Sequence, residues 1–274
     1  MTAMITWAAV ALLAGGMERG GQAPAQEPAP SVLEVRVDVP GGRMRALCTP
    51  GKPRVLFLHD EGTGAASWRP VLEQLTGIGA CAYDRDAILP GRVPPEGLGW
   101  YEYLERLKDA HEALGVSEEL VLVGNGVGAM YARLFAASLP SAVSGLVLVE
   151  PSHEDMPDLL RAAMPPEDWN EWMADRALPN EDGLRPAALA ERARRARLPS
   201  IPVTVVTVGR RRIPPDWDAR FVAEAARQTH EALVEGQPFG RHVPAPGSGP
   251  NVAQDVPALL VEEVERIVRI ALGS

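Results

Sequence analysis

The segment Leu120-Val-Leu-Val-Gly-Asn-Gly-Val-Gly-Ala-Met-Tyr-Ala-Arg133 has the form of a buried strand that runs through a tight turn into a helix. In such a setting a Gly-x-Ser-x-Gly turn lifts a nucleophilic serine above the end of a sheet. Its small flanking residues permit the strained backbone. Here the five residues are Gly124-Asn125-Gly126-Val127-Gly128. Strand, spacing and helix fit that turn, but its centre, Gly126, carries no nucleophilic atom. The glycines do not form a dinucleotide site either, because they lack the G-x-G-x-x-G spacing and the acidic residue that follows it. No P-loop or metal-ligand spacing occurs, so neither a cofactor nor a metal is expected.

The elements that must position this turn follow from hydrophobic periodicity. Val32 to Val39 alternates, with Val35, Val37 and Val39 on one face, and the Pro40-Gly41-Gly42 turn leads into a hairpin partner at Arg43 to Cys48. Arg54 to His59, Ala80 to Tyr83, Leu120 to Val123, Gly145 to Val149, Val203 to Val208 and Arg241 to Pro244 read as further strands, largely apolar as in a sheet covered on both faces. Helices are expected at Tyr101 to Leu114, stopped by Gly115, at Met130 to Leu139, and at Val256 to Leu272, with Leu260, Val264, Ile267 and Val268 inward. This alternation implies a mostly parallel twisted sheet with helices on both faces and ligands at the carboxyl ends of its strands. The helical stretch 153–198, with Trp169 and Trp172, interrupts the alternation and reads as a small cap. The core is then 32–152 and 199–274.

A chain of 274 residues suits one such domain. Its net charge of −9 argues against a nucleic-acid groove or an anionic membrane surface. The run Arg192, Arg194, Arg195 and Arg197 reads as a solvated helix face. The apolar stretch Ile5 to Ala14 is too short to span a membrane, and with Ala23-Pro24-Ala25 it reads as a signal peptide over 1–25, although only the amino terminus supplies positive charge. Residues 26–31 read as a disordered lead-in. Cys48 and Cys81 are one disulfide in an exported protein, or two buried thiols in a cytosolic one.

Several blocks in order carry more information than the glycine turn: Leu47-Cys48, Ala80-Cys81-Ala82-Tyr83-Asp84-Arg85, Tyr131-Ala-Arg-Leu-Phe-Ala-Ala137 and Gly145-Leu-Val-Leu-Val-Glu-Pro-Ser-His-Glu-Asp155. From about Val35 onward the chain resembles the secreted bacterial α/β-hydrolases of lipase and esterase type. The resemblance implies an α/β-hydrolase fold with a catalytic histidine after the last strand, usually in a Ser-Gly-His run. The chain has Ser248-Gly249-Pro250-Asn251, so Pro250, which has no side-chain proton acceptor or donor, stands at that position. The acid is implied at Glu150 or Asp216; without a histidine, either is expected to be a structural carboxylate paired with an arginine. The resemblance assigns the oxyanion donors to the backbone N–H groups of Val127 and Glu61, in a loop that usually begins His-Gly and here reads His59-Asp60-Glu61-Gly62. It also places the Cys48 strand beside the Cys81 strand, which implies a bridge.

No other histidine is an obvious replacement. His242 begins the last strand, at its far end; His111 and His230 lie in helices; His153 could reach the mouth of the site but has no nucleophile to activate. The reading is therefore an exported, triad-deficient homologue that binds or regulates, with a small apolar ester- or acid-like ligand and no indicated protein partner. The alternative is an ester or amide hydrolase with non-standard or engineered-away catalytic residues.

Overall fold

Strand β1 (Leu33–Val39) buries Val35, Val37 and Val39 in part and leaves Glu34, Arg36 and Asp38 exposed, as its alternation predicts. It pairs antiparallel with β2 (Gly42–Cys48). The computed structural model describes residues 32–89 and 93–271, so the expected signal peptide (1–25), the lead-in (26–31) and Leu272 lie outside the described residues. The other strands are β3 (Val55–Leu58), β4 (Ala80–Tyr83), β5 (Leu120–Asn125), β6 (Val143–Val149), β7 (Val203–Val208) and β8 (Arg241–Ala245). They form one eight-stranded sheet in the order β1-β2-β4-β3-β5-β6-β7-β8. Only the β1–β2 and β2–β4 pairings are antiparallel. The chain leaves β3 toward β4 on one side and returns to β5 on the other. That reversal is where an open α/β sheet leaves a crevice at its carboxyl edge.

The central strands are apolar throughout because each face has its own core. In β3, Leu56 and Leu58 pack on one side with Leu120 and Leu122 of β5, while Val55 and Phe57 pack on the other with Val121 and Val123. Among the described residues the α-helices are α1 (Arg69–Leu72), α2 (Trp100–Ala113), α3 (Val127–Ser138), α4 (Met156–Leu160), α5 (Pro166–Arg176), α6 (Pro186–Arg195), α7 (Ala219–Ala232), α8 (Val252–Asp255) and α9 (Pro257–Ala271). Helices α2 and α3 cover the first core, and α1, α8 and α9 the second. Helix α3 begins at Val127, three residues before its apolar pattern starts, because Gly128 and Ala129 carry no periodic signal. The run of arginines in and after α6 is largely the expected solvated face, with Arg194, Arg195 and Arg197 exposed and Arg192 partly buried. Arg194 ion-pairs with Asp155 and Asp158 at 3.2 and 2.8 Å. Arg192 lies 4.3 Å from the ring centre of Tyr101.

One buried ion pair ties the segment between β6 and β7 to the sheet. Arg85, just after β4, donates from Nε and Nη2 to the two carboxylate oxygens of Asp182 at 3.0 and 2.9 Å. Tyr103 of α2 and Tyr131 of α3 donate to the same carboxylate, each at 3.0 Å. The remaining Arg85 nitrogen, Nη1, donates to the carbonyl of His59 at 2.6 Å and so fixes the loop after β3.

Cys48 and Cys81 are opposed in the β2–β4 ladder and joined by a disulfide across 33 residues. In the chain-entropy model a loop of that length contributes about 3–4 kcal/mol. Reduction, or Cys48→Ala with Cys81→Ala, should therefore lower the urea-unfolding free energy by roughly that amount. An unchanged midpoint would mean that the bridge constrains neither state.

Candidate functional site

Strand β5 delivers Gly126 to the carboxyl edge of the sheet with φ 54° and ψ −118°. This is a strained conformation for any side chain, and the turn therefore keeps the backbone of a nucleophile elbow. Close approach dictates the flanking glycines. A Cβ on Gly124 would stand 2.5 Å from the Ala129 backbone, and one on Gly128 2.5 Å from the carbonyl oxygens of Leu58 and His59.

Asp60 lies directly over the turn. Its Oδ1 accepts the N–H of Val127 and the N–H of Glu61, both at 2.9 Å. These are the two donors that the sequence reading assigns to an oxyanion hole, and here they hold a carboxylate of the protein itself. A Cβ on Gly126 would fall 2.0 Å from that same Oδ1 and 2.4 Å from Oδ2. Asp60 thus fills the volume a serine side chain would need. Burial pushes its carboxyl above the ordinary range, against the pull of the two N–H donors and of Arg85. The loop is tied down on all sides. His59 Nδ1 and the Thr63 hydroxyl each donate to the Asp60 carbonyl at 2.8 Å, and Gly62 N–H donates to Glu181 at 2.9 Å. Burial, then the Glu181 charge, raises the Glu61 carboxyl.

Pro250 comes to the same place. With Asp60, Asn125, Arg212, Asn251 and Asp255 it lines a polar cavity of about 350 Å³ beside the elbow. On the other side of Asp60 a smaller cavity of about 90 Å³ is lined by Glu61, Val127, Met130, Ser152 and Arg176. The acid candidates part company. Glu150, at φ 42°, is gripped by Arg211 Nε and Nη2 at 2.5 and 2.9 Å and by Val208 N–H at 3.0 Å. Its carboxyl is raised by burial and lowered by Arg211. Asp216 is exposed in a turn closed by Trp217 N–H on Pro214 and makes no hydrogen bond or ion pair among the described residues.

His59 lies beside the elbow, in the Asp60 loop, with its Nδ1 on the Asp60 carbonyl. Among the described residues the hydrogen bonds of the other four histidines reach neither Gly126, Val127 nor Asp60. His111 is buried with its Nε2 3.0 Å from the Tyr83 hydroxyl. His230 Nε2 faces the Pro151 carbonyl at 3.2 Å, and a carbonyl only accepts, so Nε2 carries the proton. His230 Nδ1 then accepts from the Thr207 hydroxyl at 2.7 Å, and Thr207 accepts from His242 Nε2 at 2.7 Å. The His242 ring is therefore engaged by Thr207 of the neighbouring strand. His153 and His230 line a third cavity of about 250 Å³, with Glu150 and Trp172, between the segment after β6 and α7. The sequence reading missed two features, the docking of Asp60 on the elbow and the Asp182 partner of Arg85. The only local signal for the first was an aspartate where the loop usually has glycine.

The sheet order, the elbow backbone and the helices on both faces define an α/β-hydrolase fold. No family model and no curated protein matches the sequence. Solved structures are similar to this chain in fold. The haloalkane dehalogenase DbeA from Bradyrhizobium elkani is 18% identical at a TM-score of 0.60, covering 89% of this chain and 100% of that one. A thermophilic esterase from Thermogutta terrifontis is also 18% identical, with TM-score 0.54 and coverage of 87% and 99%. A membrane phospholipase A, a bacterial virulence factor, gives 18%, 0.55, 89% and 87%. At these identities the likeness is one of fold.

Two outcomes follow from this geometry. Gly126→Ala should cost about 1–3 kcal/mol for the strained backbone alone, beside Asp60→Gly, and more with Asp60 in place, where the new Cβ would fall 2.0 Å from the carboxylate. A double-mutant cycle by urea unfolding should return a coupling of about 0.5–3 kcal/mol; simple additivity would place Asp60 elsewhere. The second concerns acid. Burial pushes both His111 and His230 down to about 3, below an unfolded value of about 6.5. Between those values the unfolded chain binds more protons. The stability they carry is complete above pH 6.5 and is lost as pH falls, by roughly 1 kcal/mol per unit for each. Unfolding free energies measured from pH 7 to 5 should show this slope, reduced in His111→Phe. An unchanged slope in that variant would exclude His111 as a source.

Proposed function

We propose that this chain is a non-catalytic binding or regulatory homologue of the α/β-hydrolase fold, in which Gly126 and Pro250 stand at the nucleophile and histidine positions. The observation that carries this reading is the Asp60 carboxylate on the N–H groups of Val127 and Glu61. In a working site those donors stabilise the oxyanion that develops in acyl transfer. Here a negative charge already occupies them, and neither Gly126 nor Pro250 can supply a nucleophile or a base. Glu150 is spent on Arg211 and serves as a structural carboxylate. Asp216 has no part in the site.

The ligand belongs in the cavities between the sheet edge and the 153–198 cap, and is small, in part apolar, and ester- or acid-like. Export is part of the same reading. The apolar stretch Ile5 to Ala14 supplies the signal, and the Cys48–Cys81 bridge calls for an oxidising compartment. Among the described residues no helix is long and apolar enough to cross a membrane.

One observation favours a second reading, an ester or amide hydrolase using other residues: Asp60 places a carboxylate with a raised pKa at the elbow itself. The two readings separate in one experiment. The non-catalytic reading expects no labelling by a fluorophosphonate probe, no burst with p-nitrophenyl esters and no turnover that depends on Asp60. Stoichiometric labelling near the elbow, or ester hydrolysis abolished by Asp60→Asn, would overturn it.

A further inference from the structure

Arg176 ends α5 with its guanidinium over the Trp172 ring, 4.6 Å from the centroid. Among the described residues it makes no hydrogen bond and no ion pair. It is half-buried and lines both the 250 Å³ cavity and the 90 Å³ cavity. The other arginine of the larger cavity, Arg211, is taken by Glu150. Burial disfavours the Arg176 charge, with Glu61 acting against that. A guanidinium offers five donors in a rigid fork suited to a carboxylate. Here the fork opens on a cavity with none of its acceptors supplied by the protein.

The rest of that cavity has an apolar wall and a polar one, the latter carrying Ser152, His153 and His230. Met156, Leu160, Val222 and Ala226 form its apolar wall beside Trp172. Its one carboxylate, Glu150, is already neutralised by Arg211. Asp60 and Glu61, which would repel an anion, line the smaller cavity instead. One unpaired cation in the lining of a chamber with an apolar wall complements a molecule with one negative end and a short chain. At about 250 Å³ the chamber lies below the ~300–1,000 Å³ range of drug-sized ligands, which limits the chain to a short one.

We propose that this chamber, between α4, α5 and α7, binds a short-chain aliphatic carboxylate, its carboxylate on Arg176 and its chain against Leu160, Met156 and Val222. The inference rests on the binding-protein reading and deepens it by choosing the acid over the ester. An ester carbonyl is neutral, and the N–H groups that would polarise it are held by Asp60. The Trp172 ring gives the guanidinium a flat support, which limits the rotamer freedom lost on binding.

Calorimetric titration with hexanoate, and with 1-hexanol as its uncharged counterpart, tests this on the purified full chain. Hexanoate should bind at least tenfold tighter than hexanol. Arg176→Gln should weaken hexanoate about tenfold and leave hexanol unchanged, while Arg176→Lys, which keeps the charge and loses the fork, should fall between. Ala226→Leu, which narrows the chamber without touching Arg176, should weaken both ligands and stands in should Arg176→Gln fail to fold. Equal affinity for acid and alcohol, undiminished hexanoate binding in Arg176→Gln or Ala226→Leu, or no saturable binding to a folded parent would overturn the proposal. The fluorophosphonate assay is independent of these results. Labelling there refutes the non-catalytic reading whatever hexanoate does, and the titrations bear on the chamber alone.

Discussion

Asp182 and Arg85 are 2% and 1% exposed, and ions so far from water persist only when every polar atom is matched. They are matched. Each carboxylate oxygen of Asp182 takes one Arg85 nitrogen and one tyrosine hydroxyl. Burial, then the Asp182 charge, holds both phenols protonated as donors. Removing one partner of such a pair costs about 3–5 kcal/mol, because the other is left buried and uncompensated. From this one knot radiate β4, α2, α3, the loop after β3 and the segment between β6 and β7.

The carboxyl edge of the sheet takes its form from that knot. Arg85 holds the His59 carbonyl, the next residue is Asp60, and the side chain of Asp60 reaches the elbow. Asp60 then lines both a chamber containing Pro250 and a smaller one containing Arg176. A second buried pair, Arg133 with Glu154 at 2.8 and 2.9 Å, fixes the start of the segment after β6. The rigid parts are thus charged pairs, and the spaces between them are where chemistry or binding can occur.

Local pattern was enough for the strands, since apolar runs of four to seven residues between turn signals admit few other readings. The elbow was legible because glycine spacing records backbone geometry directly. The pairing of Cys48 with Cys81 came through family resemblance. The buried charges stayed hidden for a physical reason: their partners are far apart in sequence. Asp182 lies 97 residues from Arg85. Glu263, on a helix whose apolar face was read correctly, is fully buried because Thr204, Arg241 and Arg266 gather around it. Periodicity places such a residue on a polar face, and only the fold supplies the counter-charge. Asp60 is the same case at shorter range, since a loop aspartate reads as solvated until the elbow beneath it is built.

The carboxylate on the elbow acts as a tethered competitor. Asp60 is joined directly to Glu61, one of the two donors it occupies, and is bonded to the other through the same oxygen. On so short a tether the local concentration of a group is about millimolar or higher, whatever the bulk solution contains. A free anion of equal intrinsic strength must exceed that level before it displaces the resident one. Dilute carboxylates are therefore excluded from the two N–H groups by mass action alone. A molecule that does enter must gain its advantage from its other atoms, against walls that Asp60 does not touch.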